Sequence, residues 1–306
     1  NRGKTGTVTA DGNTITMTGA MEDYNVHYEG QFRVIPTGGT MTAANPSGKG
    51  EIAVAGADSA IVLIAGGTNY QMVPQVFSEP DRLKKLDGLP LPHDKVSAAI
   101  TNATEKGYSA LRTEHLRYYH RLYDRVRLDL GGGEPTIPTD EVIDAARAGR
   151  VDPYLEELAF QFGRYLLISG SREGSLPLNL QGLWNVYEDP PWRSGYWHNV
   201  NLQMNYWPAF QTNLPETFRP YVEYNAAYLP VQQNYATEVI RQYQPSHLDP
   251  GGDNGWAMGN SNWPYKRATR PGHSGFGTGP WTAQMFWDYY DYTRNKELLR
   301  DVVYPV

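Results

Sequence analysis

Ser175 to Pro208 reads SLPLNLQGLWNVYEDPPWRSGYWHNVNLQMNYWP, and the rest of the chain is organised around it. Trp184, Trp192, Trp197 and Trp207 stand among Asn179, Asn185, Asn199, Asn201 and Asn205, and the Pro and Gly punctuation forbids a simple helix before about Asn199. Carboxamides offer a donor and an acceptor each, and indoles offer flat apolar faces. That pairing suits a polyol with polar rims and apolar C–H faces.

Composition narrows the alternatives. The chain has 306 residues, a formal charge of −6 and no cysteine, so disulfide and thiolate chemistry are excluded and an electrostatic nucleic-acid or membrane binder is disfavoured. No His and carboxylate set has metal-ligand spacing, and neither a metal nor a cofactor is expected. No apolar run reaches membrane-spanning length, and the opening NRGKTGTVT lacks a signal-peptide core. A secreted or periplasmic protein whose leader is absent from the chain is the expectation.

Outward from the central stretch, the text changes character. All eight tryptophans lie at or beyond Trp184. From Thr5 to about Tyr70 the period is two residues, with a hairpin around Asp11-Gly12-Asn13 and strands near Val26–Ile35, Glu51–Val54 and Ala60–Ala65. Residues 1–77 are therefore expected to be part of an antiparallel β-sandwich, lacking its beginning. Residues 78–131 read as a linker with a helix from Asp94 to about Arg125. His115 and His120 on it are five apart, which is not the spacing of a helical metal pair, and read as structural.

From 132 to 306 helix follows helix: Thr139–Ala148, then Asp152–Ser169 with Asp152 as cap and Pro153 in the first turn, then Val200–Thr212, Tyr221–Tyr243, Trp281–Tyr292 and Lys296–Val302. No stretch beyond 139 reads as a strand. Paired helices joined by loops that carry aromatics and amides suggest a toroid with a site on one rim. The fold class expected is multidomain α and β, with the toroid incomplete.

At Leu180-Gln181-Gly182-Leu183-Trp184-Asn185, Pro190-Pro191-Trp192 and Asn199-Val200-Asn201-Leu202-Gln203-Met204-Asn205-Tyr206-Trp207-Pro208 the chain resembles glycoside hydrolase family 95, the inverting α-L-fucosidases and related α-L-galactosidases. Tyr123-Asp124-Arg125-Val126, Leu128-Asp129-Leu130 and Phe286-Trp287-Asp288-Tyr289-Tyr290 are weaker echoes. The resemblance implies an N-terminal β-sandwich, a helical linker, an (α/α)6 barrel with the active site and a C-terminal β domain. This chain would hold the later sandwich, the linker and the first barrel helices, with the remainder of the enzyme as its partner.

The resemblance also implies a water held by two asparagines, matched here by Asn199 and Asn201. A neutral amide is a very weak base, so a carboxylate behind it must receive the proton. The family's acid glutamate and polarising aspartate fall in segments beyond Val306. Glu188 and Asp189 are the nearest local carboxylates, read as caps or substrate contacts, with a direct catalytic role as the alternative. The family's histidine two places before the first asparagine is here Trp197, with His198 beside it. In the loop Gly251–Pro264 the family's Trp-His-Asn-acid pattern gives way to Asn260-Ser261-Asn262.

Trp192, Trp197, His198, Trp256, His273 and Trp281 complete the expected substrate surface, with Trp256 and Trp281 as the stacking platform. The Gly272–Gly279 loop lacks the strand and lysine of a phosphate loop. The substrate expected is a glycan ending in L-fucose or L-galactose. Two other classes remain. One is a carbohydrate-binding protein that performs no turnover. The other is an acid-cleaving lyase or a phosphorylase on a similar toroid, and for the phosphorylase only Lys266, Arg267 and Arg270 could meet phosphate.

Overall fold

The computed structural model describes residues 5–267 and 277–305, and the chain divides into two compact units, 1–117 and 118–306. In the first unit, β1 (Thr5–Asp11), β2 (Thr14–Met21), β3 (Val26–Thr37) and β6 (Ser59–Thr68) form one antiparallel sheet in the order β1-β2-β3-β6. Asp11 pairs with Thr14, so Gly12 and Asn13 make a two-residue hairpin loop, and Gly12 supplies the positive φ of 53° that the strand twist requires. A separate hairpin, β4 (Thr40–Ala44) with β5 (Glu51–Ala55), lies between β3 and β6 in sequence. β4 was not legible in the sequence, because its five residues carry little apolar alternation.

A short helix α1 (Pro74–Ser78) precedes α2 (His93–Tyr123), which is interrupted at Gly107 by a non-helical φ of 73°. Alternation along β3 points Gln31 and Arg33 at this helix, where they meet Ser97 at 2.9 Å and Thr104 at 3.1 Å. Val96 and Ile100 of this helix are buried. A Cβ at Gly67 would lie 3.0 Å from Val96 Cγ2, so the small residue lets helix and sheet close together.

The second unit is mostly helical: α3 (Thr139–Arg147), α4 (Pro153–Gly170), α5 (Asn201–Tyr206), α6 (Pro208–Gln211), α7 (Arg219–Tyr243), α8 (Thr278–Thr293) and α9 (Lys296–Leu298). Asp152 caps α4 through the Tyr154 N–H at 3.0 Å, and Pro153 follows in the first turn. Its core is aromatic. Phe218, at the entrance to α7, is fully buried between Tyr221 (4.7 Å), Phe210 (4.9 Å) and Tyr289 (5.2 Å). Truncating such a ring to alanine removes about 3–5 kcal/mol.

One expectation is corrected here. A small antiparallel sheet does occur beyond 139: β7 (Tyr196–Trp197), β8 (Ser261–Trp263) and β9 (Lys266–Arg267). Strands of two or three residues are too short to show a period. The first strand of this sheet leads directly into the turn carrying Asn199 and Asn201.

Candidate functional site

Asn199 and Asn201 straddle the point where extended backbone becomes helix. Residues 198–200 form a turn, Val200 adopts φ −166° and ψ −40°, and α5 begins at Asn201. Both asparagines are exposed, and among the described residues their side chains make no hydrogen bond. Two uncommitted carboxamides therefore flank the first turn of α5, where helical N–H groups also lack intrahelical acceptors.

The residue before them behaves differently. Along β7 the side chains alternate, so Tyr196 (3 % exposed) and His198 (0 %) turn inward while Trp197 turns the other way. The expectation that His198 reaches a sugar hydroxyl is thus corrected: the ring is interior. The Asn262 amide nitrogen donates to His198 Nδ1 at 3.1 Å and to the Gly259 carbonyl at 3.3 Å. A carbonyl can only accept, which fixes that end of Asn262 as the NH₂ group and makes Nδ1 the acceptor. Tyr228 donates to the Asn262 oxygen at 2.9 Å. The His198 ring also stacks on Tyr224, with centroids 6.0 Å apart and planes 19° apart.

Burial pushes the His198 pKa down to about 4. The Tyr196 backbone and the neighbouring Asn225 amide oppose the shift, the latter without closing a hydrogen bond to the unpaired Nε2. The imidazole is neutral at ordinary pH and carries its proton on Nε2.

The aromatic residues fall into two groups. Trp197 lies edge-on to Trp263, with centroids 6.3 Å apart, and Trp263 donates its indole N–H to the Arg193 carbonyl at 3.1 Å. That bond anchors Trp192, Arg193 and Ser194, three successive residues with φ of 49°, 54° and 49°. Left-handed backbone at three non-glycine residues is costly and persists only where the surroundings impose it. Here it holds Trp192 outward, 69 % exposed. The second group is centred on α8: Trp256 lies within 3.0 Å of where a Gly279 Cβ would be, and Trp281 packs edge-on against Trp207, at the C-terminal end of α5, at 6.4 Å. Trp256 and Trp281 are both half-buried. His273 lies outside the described residues.

Glu188 and Asp189 are exposed on the loop between Trp184 and Pro190. Among the described residues no group of three or more His, Cys, Asp or Glu could hold a metal ion, and no helix is long and apolar enough to cross a membrane. Sequence reasoning missed Tyr228 and the interior role of Asn262. The signal was present in α7, where Tyr221, Asn225, Tyr228, Gln232 and Tyr235 recur at spacings of four and three and are all buried.

Against known families, residues 107–306 match the glycosyl hydrolase family 95 catalytic domain, and residues 2–73 match the glycosyl hydrolase family 65 N-terminal domain. The chain belongs to glycosyl hydrolase family 95. Among curated relatives of this family 95 chain, a probable alpha-fucosidase A of Aspergillus niger is 34 % identical over 228 residues, which is 70 % of this chain and 27 % of that protein. Alpha-L-fucosidase 2 of Arabidopsis thaliana is 31 % identical over 287 residues, 89 % of this chain and 31 % of the plant protein. A probable alpha-fucosidase A of Aspergillus oryzae is 35 % identical over 174 residues, covering 56 % and 24 % respectively. The family 95 chain thus matches 24 % to 31 % of the length of these relatives.

Proposed function

We propose that this chain is the water-binding part of a glycoside hydrolase that removes terminal α-L-fucosyl or α-L-galactosyl residues from glycans with inversion. The observation that carries the reading is the pair of uncommitted carboxamides at Asn199 and Asn201, exposed at the start of α5 beside tryptophan-rich loops. The fucosidase names of the relatives support the substrate class.

Inversion needs a water activated on one face of the sugar and an acid on the other. Asn199 Oδ1 and Asn201 Oδ1 accept hydrogen bonds from that water and orient it. Because amides take up protons poorly, a carboxylate behind the pair receives the proton as the C–O bond breaks, and a glutamic acid protonates the departing oxygen. Both groups come from residues outside these 306, in a barrel of paired helices that this chain begins. Trp192, Trp197, Trp256 and Trp281 offer apolar faces to the sugar.

The deciding experiment is Asn201→Ala in the complete protein, assayed on an aryl α-L-fucoside together with fucose binding. Turnover should fall about 10²–10⁴-fold while binding is kept. Equal loss of both would favour a protein that only binds carbohydrate.

A further inference from the structure

The turn that carries Asn199 and Asn201 is held from behind. His198 donates its backbone N–H to the Asn260 carbonyl at 2.6 Å, and its carbonyl accepts the Gln203 side-chain N–H at 2.5 Å. Its Nδ1 accepts from Asn262, and its ring lies on Tyr224. The residue before Asn199 is therefore fixed at backbone and ring. Gln203, two places beyond Asn201, is fixed by the same residue and is fully buried. Asn262 is also fully buried, with both amide donors placed and its oxygen bonded to Tyr228. Buried polar groups are ordinarily hydrogen-bonded, and a fully satisfied amide of this kind rigidifies and specifies the structure around it.

We propose that Tyr228, Asn262 and His198 are positioning residues, a chain of uncharged hydrogen bonds that sets the turn presenting the Asn199 and Asn201 carboxamides to the water. This rests on the hydrolase reading above. Among the described residues these hydrogen bonds join uncharged groups, so the turn they hold is expected to keep its geometry from pH 5 to 8. Among the described residues the titratable groups facing the imidazole are phenols: Tyr224 by stacking and Tyr228 through Asn262, both from α7, and Tyr196 beside it on β7. α5 and β8 contain no charged residue. A charged imidazolium here would put a buried cation one residue from the pair and weaken the acceptor that must take the water's proton.

The relay is read directly by NMR of histidine ¹⁵N, with the His198 signal assigned through His198→Gln. The expected result is an unprotonated Nδ1 and a protonated Nε2, unchanged from pH 5 to 8. Asn262→Asp should move the proton to Nδ1 and introduce a titration in that window, accompanied by a new ionisation in the pH profile of kcat. Tyr228→Phe, which removes one oxygen, should lower kcat about tenfold, equivalent to about 1.4 kcal/mol, and leave KM within about twofold. A wild-type His198 protonated on Nδ1 overturns the relay whatever the activity. A folded Tyr228→Phe protein with unchanged kcat and pH profile also overturns it. If the NMR result holds but Asn201→Ala retains full turnover, the hydrolase assignment of the asparagines fails and the structural relay stands.

Discussion

The Tyr206 hydroxyl accepts the Leu178 backbone N–H at 2.9 Å and meets Ser171 Oγ at 2.7 Å. One oxygen on α5 thereby ties down the end of α4 and the start of the central loop. All three residues are buried, and burial of the phenol holds its pKa well above the usual tyrosine range despite its hydrogen bonds with Ser171 and the Leu178 N–H. Tyr206→Phe keeps the ring packing but orphans the Leu178 N–H. The expected cost is about 1–3 kcal/mol, measured as a lower urea midpoint with an unchanged m-value.

Gly195 lies between the strained turn and β7. A Cβ there would stand 3.1 Å from Trp263 Cε2, 3.2 Å from Cζ2 and 3.3 Å from the Asn262 carbonyl. Its φ of −73° is open to any residue, so space rather than conformation demands glycine. Gly195→Val should push Trp263 off the Arg193 carbonyl, costing about 1–3 kcal/mol and releasing the left-handed turn under Trp192. Tryptophan fluorescence would report the displacement, and an unshifted spectrum with unchanged stability would refute the packing argument.

How much of this was legible in the sequence depended on length and period. Asp152-Pro153 announced its helix because a cap and a fixed φ act locally, and the Gly12-Asn13 hairpin was readable for the same reason. β7, β8 and β9 were not, because their pairing joins Trp197 to Ser261 across a long stretch of chain and no local rule anticipates that contact. The asparagine pair was visible as a motif. The burial of His198 was not, since it follows from the alternation of a two-residue strand whose existence depends on β8. Asn262, read from sequence as a departure in the loop, has its role only once β8 pairs with β7.

Arg125 grips Glu216 with two hydrogen bonds of 2.7 and 2.9 Å, and the Glu216 side chain is about half exposed. Desolvation raises the Glu216 pKa, but the Arg125 hydrogen bonds, the residue's own backbone N–H and the charges of Arg125 and Arg121 together outweigh it and hold the carboxyl below its usual range. A folded-state pKa below the unfolded value gives stability that is present above the unfolded value, about 4.3, and is lost as pH falls through the folded one. Solvent screening limits the pair to about 0.5–1 kcal/mol. Glu216→Gln should therefore lower Tm slightly at pH 7. The gap from the unmutated chain should close as pH falls below about 4, and a gap that persists there would show the loss is not ionic.

Arg164 is 2 % exposed and closes the C-terminal end of α2 within the second unit. Its Nη1 donates to the Tyr123 carbonyl at 2.8 Å, the Val126 carbonyl at 3.0 Å and Gln161 Oε1 at 2.9 Å, while Nη2 donates to the Leu122 carbonyl at 3.1 Å. The planar fork binds the Leu122 and Tyr123 carbonyls at the end of the helix and the Val126 carbonyl just beyond it, and the guanidinium also sits 5.4 Å from the Tyr123 ring centroid. A lysine keeps the charge but not the fork, so one ammonium cannot reach all these oxygens. Arg164→Lys should cost about 2–4 kcal/mol, since each buried carbonyl left unpaired costs about 1–3 kcal/mol and part of the set is rescued. Arg164→Met, which removes every donor, should cost more. Equal denaturation midpoints for the lysine variant and the unmutated chain would mean that charge alone, rather than the geometry of the fork, holds this helix end.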